Sequence, residues 1–383
     1  MRKGWEYKKL GEVSVYPNKR ILVSELNPKD YVGVENLQKD RAGVVFSDKM
    51  PNTDSAIAFS PNDILIGNIR PYLKKIWLAD KSGGASGDVV IIRISTNDLL
   101  PMFLYKVLAS DHFFEYDNTF TKGAKMPRGD RNAIAEFMIP LPPKSTQLAI
   151  VSELDKINEL IRLKKEQLKD FDNLAQSLFY EMFGDPVENE KGWEVKKLGD
   201  ICTDITDGDH MPPPKSEFGI PFITISDIDK DTRCLNFENT FYVPEDYYNN
   251  LKENRKPQKG DLLYTVTGSY GIPVIVKTDK KFCFQRHIAL LRPNKEILST
   301  IFLCYWVLSD GVKFMADKVA TGIAQKTVGL NSIRKFSCIL PPLSLQHLFA
   351  QRIEQIEREK SEVQKSIQDL ETLLASRMQY WFE

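Results

Sequence analysis

The sequence predicts a mixed α/β (α+β) protein that contains two copies of one domain, each followed by a long helix. Gly4–Gly11 (GWEYKKLG) recurs as Gly192–Gly199 (GWEVKKLG), which indicates an internal duplication. In each copy a Leu-Pro-Pro segment is followed by apolar residues at alternating spacings of three and four, a periodicity typical of a helix with one apolar face. We predict domains over residues 1–140 and 185–340, and helices over residues 141–184 and 341–383.

Each long helix carries an apolar seam of the kind found in coiled coils. The first helix is predicted to begin after Pro142 and Pro143, with Ser145 as N-cap, and to end at Gly184. Its seam is interrupted by Lys164 and recurs 199 residues later. The seam residues are Leu154, Ile157, Ile161, Leu168, Phe171 and Leu178, and then Ile353, Ile356, Val363, Ile367, Leu370 and Leu374. Because such a stripe is not stable alone in water, we expect the two helices to pair. The alternative is two unrelated helices, each packed on its own domain.

The composition is that of an ordinary globular protein, with 383 residues of which 42% are hydrophobic and 27% charged. No apolar run approaches the ~20 residues of a membrane span, and Met1–Trp5 do not begin a signal peptide. The five cysteines form no Cys-x-x-Cys pair. They indicate free thiols in a reducing cytoplasm, and we expect no contact with a membrane.

The net charge is zero, but it is unevenly distributed along the chain. Residues 1–140 hold 20 Lys and Arg against 17 Asp and Glu, and residues 191–340 hold 21 against 18, so each segment carries +3. Residues 141–190 hold 6 against 10, and residues 341–383 hold 5 against 7. Mildly basic domains and acidic helices favour polyanion binding by the domains and protein contacts by the helices.

Each domain copy shows short apolar segments separated by Gly, Pro, Asn and Asp, a pattern typical of strands and turns. The matched segments are Val32–Asn36 with Ile223–Asp227, Asp63–Ile66 with Asp261–Tyr264, Val89–Arg93 with Ile288–Arg292, and the helical pieces Met102–Leu108 with Ile301–Leu308. The offset grows from 188 to 199, so the second copy has about ten extra residues, which we place in Asp204–Pro214. The repeated N-terminal motif predicts a pseudo-twofold arrangement.

No pattern of a catalytic or metal site is found. Walker, HExxH and DNA methyltransferase motifs are missing from the sequence. Asp204, Asp207 and Asp209 lack the glutamate that closes a calcium loop, and we interpret them as a polar turn. Gly260-Asp261 with Asp279-Lys280-Lys281 is faintly similar to a metal-dependent nuclease pattern, but a strand start and a basic hairpin tip explain it better. We predict no catalytic residue and no metal ligand.

Two glycine-containing loops are the candidate binding elements. Loop 1 (residues 121–131) offers four cations, and loop 2 (residues 320–329) offers an amide and a cation. The candidate residues are Lys122, Lys125, Arg128 and Arg131 in loop 1, and Gln325 and Lys326 in loop 2. Lys and Arg suit phosphates and guanine edges, and Gln suits adenine. The alternative for each residue is a solvated position without a ligand.

Taken together, the duplicated order resembles the specificity subunit of type I restriction–modification systems. The resemblance is carried by the two Gly-Trp-x-x-Lys-Lys-Leu-Gly segments, the two Leu-Pro-Pro-x-Ser-x-Gln segments before the helices, and a glycine loop before each. The turn Asp207-Gly208-Asp209-His210 matches as well and adds His210 as a candidate DNA contact. The first copy lacks this turn and has Pro17–Arg20 nearby, so that contact is not transferred to it.

The resemblance implies two target recognition domains, each reading half of a split sequence in double-stranded DNA. It also implies an antiparallel coiled coil that spaces them and docks two methyltransferase subunits, with restriction (translocase) subunits outside. S-adenosylmethionine, ATP and Mg²⁺ are then expected in those partners and not in this chain. Phe179, Phe183 and Phe349 are predicted to be exposed beside the helices as part of a partner interface. Two alternatives stay open: a coiled-coil adaptor without DNA specificity, and a metal-dependent nuclease.

Overall fold

The computed structural model describes residues 4–123, 125–210, 212–322 and 325–383. Met1, Arg2 and Lys3 of the signal-peptide argument lie outside the described residues. The chain divides into two compact units. Unit 1 comprises Met1–Lys165 and Lys365–Glu383, and unit 2 comprises Glu166–Gln364. Each unit contains one copy of the duplicated domain and a part of each long helix, so the predicted α+β fold with a repeated domain is confirmed.

Unit 1 is built from short strands and helices around a four-stranded antiparallel sheet of order β2-β9-β6-β7. A second sheet has the order β3-β5-β8-β4, and β1 pairs with β10. The strands are β1 (Glu6–Lys9), β2 (Ser14–Val15), β3 (Arg20–Leu22), β4 (Tyr31–Val32), β5 (Ser55–Phe59), β6 (Ile64–Gly67), β7 (Ile76–Leu78), β8 (Gly83–Ala85), β9 (Val89–Ile94) and β10 (Met138–Leu141). The helices are α1 (Leu10–Val13), α2 (Pro101–Leu108), α3 (Asp111–Thr119), α4 (Arg131–Ala135) and the first part of α5 (Lys144–Phe183).

Unit 2 repeats the first of these sheets as β12-β20-β17-β18 and the terminal pair as β11-β21. Its other sheets have the orders β16-β13-β19 and β14-β15. The strands are β11 (Glu194–Lys197), β12 (Cys202–Asp207), β13 (Ile220–Ile223), β14 (Ile228–Asp229), β15 (Cys234–Leu235), β16 (Phe241–Val243), β17 (Leu262–Thr265), β18 (Pro273–Ile275), β19 (Cys283–Phe284), β20 (Ile288–Pro293) and β21 (Ser337–Leu340). The helices are α6 (Leu198–Ile201), α7 (Glu245–Asn249), α8 (Thr300–Leu308), α9 (Asp310–Val319), α10 (Leu330–Arg334) and α11 (Leu343–Phe382), whose last part belongs to unit 1.

Strand registers locate the extra residues of the second copy. The pair Ile228↔Leu235 corresponds to the bridge Leu37↔Val44 at an offset of 191. The first residues of β17 and β6, 262 and 64, differ by 198. Most of the insertion therefore lies after β15, where unit 2 has β16 and α7 and unit 1 has β5. Its predicted place in Asp204–Pro214 is wrong, because the residues were added with new elements farther along the chain.

One ion pair, between a buried aspartate and an arginine, recurs in both units. The Asp63 carboxylate accepts hydrogen bonds from Arg93 Nε at 2.8 Å and Nη2 at 2.6 Å. Asp261 receives the same pair of bonds from Arg292 at 2.9 and 2.8 Å. A bidentate Arg–carboxylate pair fixes both side chains in one orientation. It therefore fixes where the strand after each turn begins.

One glutamine locks the start of each long helix to its own domain. Gln147 is fully buried; its Oε1 accepts from the Leu100 N–H at 2.9 Å, and its Nε2 donates to the Asp98 and Pro142 carbonyls at 2.8 Å each. Gln346 is also fully buried and makes the corresponding three bonds to residues 297, 299 and 341. The glutamine of the Leu-Pro-Pro-x-Ser-x-Gln motif is thus a structural residue.

The long helices have nearly the predicted bounds. Helix α5 begins at Lys144 and ends at Phe183, and Gly184 follows with a left-handed φ of 76°. Ser145 is not the N-cap, because it lies inside the first turn; the Pro143 carbonyl accepts the N–H groups of Thr146 and Gln147. All predicted seam residues are buried or half-buried. Whether they form one continuous seam stays a prediction, as does the pseudo-twofold arrangement.

Within each unit the segments of α5 and α11 run antiparallel. In unit 1, Glu153 contacts Arg377 and accepts from Trp381 Nε1 at 3.0 Å, while Lys165 pairs with Glu371 at 2.7 Å. In unit 2, Lys360 pairs with Asp172 at 2.8 Å, and the Phe349 and Phe183 ring centroids lie 5.3 Å apart. In both units, a later position on α5 therefore meets an earlier position on α11. Trp5 also stacks on Trp381, with ring centroids 6.1 Å apart, so this tryptophan before β1 lies against the end of α11.

The aromatic residues beside the helices are buried, contrary to prediction. Phe179, Phe183 and Phe349 each have 0% exposure in unit 2. The Phe183 ring centroid lies 4.8 Å from that of Phe302 on α8 and 5.3 Å from that of Phe349. The domain's own helix covers these rings, so they form core and do not offer a partner interface.

The five cysteines are free, as predicted. Cys234 is exposed and the other four are buried. No helix in the described ranges combines the length and apolarity that crossing a bilayer requires. The cytoplasmic location inferred from the cysteines stays a prediction.

Candidate nucleic-acid interface

Loops 1 and 2 share one backbone framework. Ala124 of loop 1 and Ile323 and Ala324 of loop 2 lie outside the described residues. In loop 1, Lys122 and Arg128 exchange backbone hydrogen bonds of 3.0 and 2.9 Å; in loop 2, Thr321 and Thr327 do so at 3.0 and 2.8 Å. A glycine with positive φ follows the first residue of each pair, at 100° for Gly123 and 113° for Gly322. The left-handed glycine turns the chain back and closes each loop.

Both loops are fixed to the end of a central strand. Gly129 N–H donates to the Asn68 carbonyl at 3.1 Å, and Arg70 N–H donates to the Pro127 carbonyl at 2.7 Å. The corresponding bonds in unit 2 run from residue 328 to 266 at 2.9 Å and from residue 268 to 326 at 3.0 Å. The loops thus sit at equivalent edges of the β6 and β17 sheets. Their backbone position does not depend on which side chains they carry.

The side chains of loop 1 are mostly paired. Lys122 Nζ lies 2.7 Å from Asp130 Oδ2, and Arg128 Nη2 lies 3.1 Å from Asp88 Oδ1. Arg131 Nη2 donates to the Gly87 carbonyl at 2.8 Å. Lys125 is exposed beside Met126, which has 51% exposure. Among the described residues of loop 1, Lys125 is therefore the cation that can bind a ligand without first giving up a hydrogen bond or ion pair to the protein.

In unit 2, His210 and Gln325 line one groove with a volume of about 400 Å³. Arg286 and His287, which the sequence pattern does not predict as ligand contacts, line it as well. Lys326 lies next to Gln325 and is exposed. Arg286 could have been identified from its position, because it corresponds to Gly87, whose carbonyl accepts a hydrogen bond from Arg131 of loop 1. The turn that offers a carbonyl acceptor in unit 1 therefore carries an arginine side chain in unit 2.

Polar partners orient the histidines of this groove. His210 Nε2 lies 3.0 Å from Asp207 Oδ2, and Arg255 Nη2 donates to the other Asp207 oxygen at 3.4 Å. His287 Nδ1 lies 2.6 Å from the Gln285 amide, and Arg286 Nε donates to its Nε2 at 3.4 Å. Burial and the Arg286 charge lower the pKa of His287, which favours the neutral form of the ring. The groove therefore presents a fixed pattern of hydrogen-bonding groups.

The residues considered for metal binding are engaged with protein groups. Asp261 is held by Arg292, and the Asp204 carboxylate lies 3.6 Å from the same guanidinium. Asp209 accepts from the Tyr247 hydroxyl at 3.0 Å. Over residues 4–123, 125–210, 212–322 and 325–383, no group of three or more His, Cys, Asp or Glu could hold a metal ion. That the chain has no catalytic activity stays a prediction.

A buried acid under loop 1 gives a pH-dependent stability. Burial raises the pKa of Asp117 to about 6, whereas an Asp in an unfolded chain titrates near ~3.9. The folded chain binds this proton more tightly, so stability falls as pH rises from about 4 to about 6 and stays lower above that range. Asp117→Asn is expected to raise the free energy of unfolding near pH 7.5 by up to about 3 kcal/mol, and not below about pH 4. Urea denaturation at both pH values measures this, and an equal effect at both would contradict it.

The chain belongs to the family of type I restriction modification DNA specificity domains. The model of that family matches residues 2–170 and, a second time, residues 190–372. The two matches fall on the two copies of the duplicated domain. The resemblance drawn from the repeated motifs is therefore confirmed, and the chain is a specificity subunit with DNA-recognition domains.

Two specificity subunits of type I restriction enzymes are similar to this chain. The type I restriction enzyme EcoBI specificity subunit of Escherichia coli is 21% identical over 334 residues, which cover 80% of this chain and 69% of that protein. The MjaIX specificity subunit of Methanocaldococcus jannaschii is 25% identical over 261 residues, which cover 60% of this chain and 59% of that one.

Solved structures share the fold. A chain from a structure on complex assembly and conformational transition of a type I restriction–modification system has a TM-score of 0.65 and 23% identity, and covers 100% of this chain and 98% of its own. The type I restriction–modification S subunit of M. genitalium has a TM-score of 0.51 and 15% identity, with 98% and 95% covered. At these identities the likeness concerns the fold alone.

Proposed function

We propose that each unit of this chain reads one half of a bipartite sequence in double-stranded DNA. The observation that carries the proposal is that loops 1 and 2 share one backbone framework and differ in the polar side chains they present. A constant framework with variable polar groups suits recognition of two different short sequences. The main rival is a coiled-coil adaptor, which gives no reason for this difference.

The side chains favour different contacts in the two units. In unit 1, Lys125 and Arg128 are exposed cations on one closed loop, which suits phosphate oxygens and the O6 and N7 acceptors of guanine. In unit 2, Gln325 shares a groove with Arg286 and His210. An amide beside an Arg suits a site that contains both adenine and guanine. We therefore expect the two half-sites to differ in sequence.

The proposal includes partners that supply the chemistry. Two methyltransferase subunits and the restriction (translocase) subunits dock on this chain and bring S-adenosylmethionine, ATP and Mg²⁺, and this chain provides specificity without catalysis. The family membership of the chain and its similarity to specificity subunits of restriction enzymes support this arrangement. Sequencing of methylated adenines in cells that carry the whole system tests it, since a single bipartite motif is expected. Methylation without any bipartite motif would contradict the proposal.

Loop substitutions should affect one half-site each. Lys125→Ala with Arg128→Ala is expected to weaken the first half-site, and Gln325→Ala with Lys326→Ala the second. A lost base contact costs ~1–3 kcal/mol at the base it reads, whereas a lost phosphate contact weakens all sequences alike and flattens the salt dependence. Competition binding with duplexes altered in one half-site measures this.

The control is Lys49→Ala, which removes an exposed cation of unit 1 outside loop 1 and should change neither half-site. Equal losses at both half-sites from either loop pair would contradict two independent recognition surfaces. The nuclease alternative is separated by incubating the purified chain with DNA and Mg²⁺. Cleavage that disappears on Asp279→Asn, which changes the exposed aspartate of the nuclease-like pattern, would support the nuclease.

A further inference from the structure

Beneath loop 1 lies a cluster of buried oxygen atoms without hydrogen-bond donors. Asp117 on α3 has 1% exposure, and neither of its carboxylate oxygens has a hydrogen-bond partner. The side-chain oxygen of Asn68, at the end of β6, is also buried without a partner. A carbon atom placed at the Cβ position of Gly129 would lie 2.6 Å from Asp117 Oδ1 and 2.9 Å from Asn68 Oδ1. Both oxygens therefore lie directly under the loop backbone.

Unit 2 fills the corresponding space with apolar side chains. The strand and loop registers match Asn68 and Gly129 to residues 266 and 328. The serine N-caps of α3 and α9, residues 110 and 309, match Asp117 to residue 316. These are Val266, Ala316 and Val328, with exposures of 4%, 1% and 0%, and they belong to one core cluster. In unit 2, the Val328 side chain of the loop fills this space. In unit 1 the loop has a glycine at that position, and Asn68 and Asp117 fill the space from beneath the loop. The polar set is an alternative to an apolar one that the same fold accepts.

A buried acid without a partner destabilises a fold, and unit 2 shows that the fold does not need it. Burying a carboxylate without compensating donors is costly, so the group either takes up a proton or receives a donor. A protonated Asp117 carries no charge and gains an O–H donor, and Asn68 Oδ1 is an acceptor without a partner beneath the same glycine. Proton binding therefore removes the cost of burying the carboxylate charge.

The charged and titratable groups around this site belong to four segments. Tyr16, before β3, donates its hydroxyl to the Arg131 carbonyl at 2.9 Å, and burial raises its pKa to about 12, with Asp117 contributing. Burial raises the pKa of Tyr116 on α3, and the negative charges of Glu136 and Asp117 contribute to the increase. The loop carries Arg128, Asp130 and Arg131, of which Arg128 pairs with Asp88. None of them donates a hydrogen bond to Asp117.

We infer that Asp117 and Asn68 form a proton-binding site beneath loop 1, and that unit 1 takes up a proton there when it binds DNA. This inference rests on the proposed function. DNA brings phosphate charges against loop 1, and a negative potential disfavours the ionised form of a carboxylate held under the same backbone. Asp117 is then a positioning residue: it contacts the loop and not the DNA, and its charge state is linked to binding.

The linkage has a definite sign. The free protein loses the proton near pH 6, because burial raises the pKa of Asp117 to about 6. Bound DNA raises that pKa further, so affinity for the first half-site increases as pH is lowered from about 8 to about 6. One proton limits the increase to about tenfold per pH unit. The second half-site has an apolar set at this position and no such dependence from it.

The test uses the complex of the full chain with its methyltransferase subunits and a duplex carrying the mapped target. Calorimetric titration near pH 7 in two buffers of different ionisation enthalpy measures the protons taken up, and titrations from about pH 8 to about pH 6 measure the affinity. Asp117→Asn removes the titrating group and keeps a hydrogen-bonding side chain of the same shape. It should bind with one proton fewer and with a flat pH profile at the level the unsubstituted complex reaches at low pH.

A second variant tests whether a loss of proton uptake could come from misfolding of the Asp117→Asn protein. Asn68→Val, Asp117→Ala and Gly129→Val together copy the apolar set of unit 2, and this triple variant should also lose the proton uptake. Asp48→Asn is the matched control: it removes an exposed carboxylate of unit 1 outside loop 1 and should leave the uptake in place. Equal uptake by the original and Asp117→Asn complexes overturns the inference while the proposed function stands. If the unsubstituted complex shows no sequence-specific binding at all, both the inference and the proposed function are overturned.

Discussion

Phe183→Ala is expected to destabilise unit 2 by about 3–5 kcal/mol, the usual cost of removing a fully buried phenylalanine. Its ring has 0% exposure and is enclosed by Phe179, Phe302 and Phe349 at centroid distances of 5.2, 4.8 and 5.3 Å. Removing it leaves a cavity between the long helices and α8 that rigid aromatic neighbours cannot close. Urea denaturation followed by tryptophan fluorescence measures the loss.

Leu174→Ala is the matched control for this change. Leu174 lies on the same helix with 52% exposure, so its truncation should change stability by no more than ~0.5 kcal/mol. A loss from Phe183→Ala as small as that of Leu174→Ala would mean that the aromatic cluster is not part of the core. The result also separates core from interface, because an interface residue would be tolerated in the isolated chain.

Asp261→Ala should be nearly as damaging. Its carboxylate has 2% side-chain exposure, receives two hydrogen bonds from Arg292 and accepts the Gln258 N–H at 2.8 Å. Truncation leaves the Arg292 guanidinium, with 15% side-chain exposure, without its main partner. Breaking a buried pair by removing one member costs about 3–5 kcal/mol. Thermal unfolding of the purified chain measures the loss.

Asp279→Ala is the control for Asp261→Ala. Asp279 has 84% side-chain exposure and lies 3.7 Å from Lys259, and exposed pairs of this kind contribute ~0–1 kcal/mol. The sequence pattern that suggested a nuclease contains both aspartates. If both substitutions proved harmless to folding, the structural interpretation of Asp261 would fail and the catalytic one would gain support.

The repeat could be predicted because the same motifs recur in the same order at similar spacings along the chain. The two Gly-Trp segments and the two Leu-Pro-Pro segments fix the order of domain and helix in each copy. Helix ends followed from Gly184 and the paired prolines, since these residues act locally. The place of the insertion could not be derived in this way. It became clear only from which residue pairs with which across the strands β14, β15, β6 and β17.

The burial of the aromatic residues could not be predicted either. Phe183 and Phe349 lie near the ends of amphipathic helices, where the sequence shows an apolar residue but not whether a neighbouring domain covers it. Helix α8 supplies that cover, and along the chain it lies more than a hundred residues from Phe183. The side chains of loops 1 and 2 were identified from sequence, but the groove partners Arg286 and His287 were not, because the turn that carries them lies far away in the chain. Whether any of these residues touches DNA stays a prediction.

The paired glutamines Gln147 and Gln346 have a consequence for how this protein can evolve. Each makes three hydrogen bonds at the start of its helix, and the same three recur in both copies. The side chains of loops 1 and 2 differ, with four cations in loop 1 and one amide and one lysine in loop 2. Descendants of this gene can therefore acquire a new loop in one copy by a few mutations or by recombination, while the inherited framework and the other copy remain unchanged.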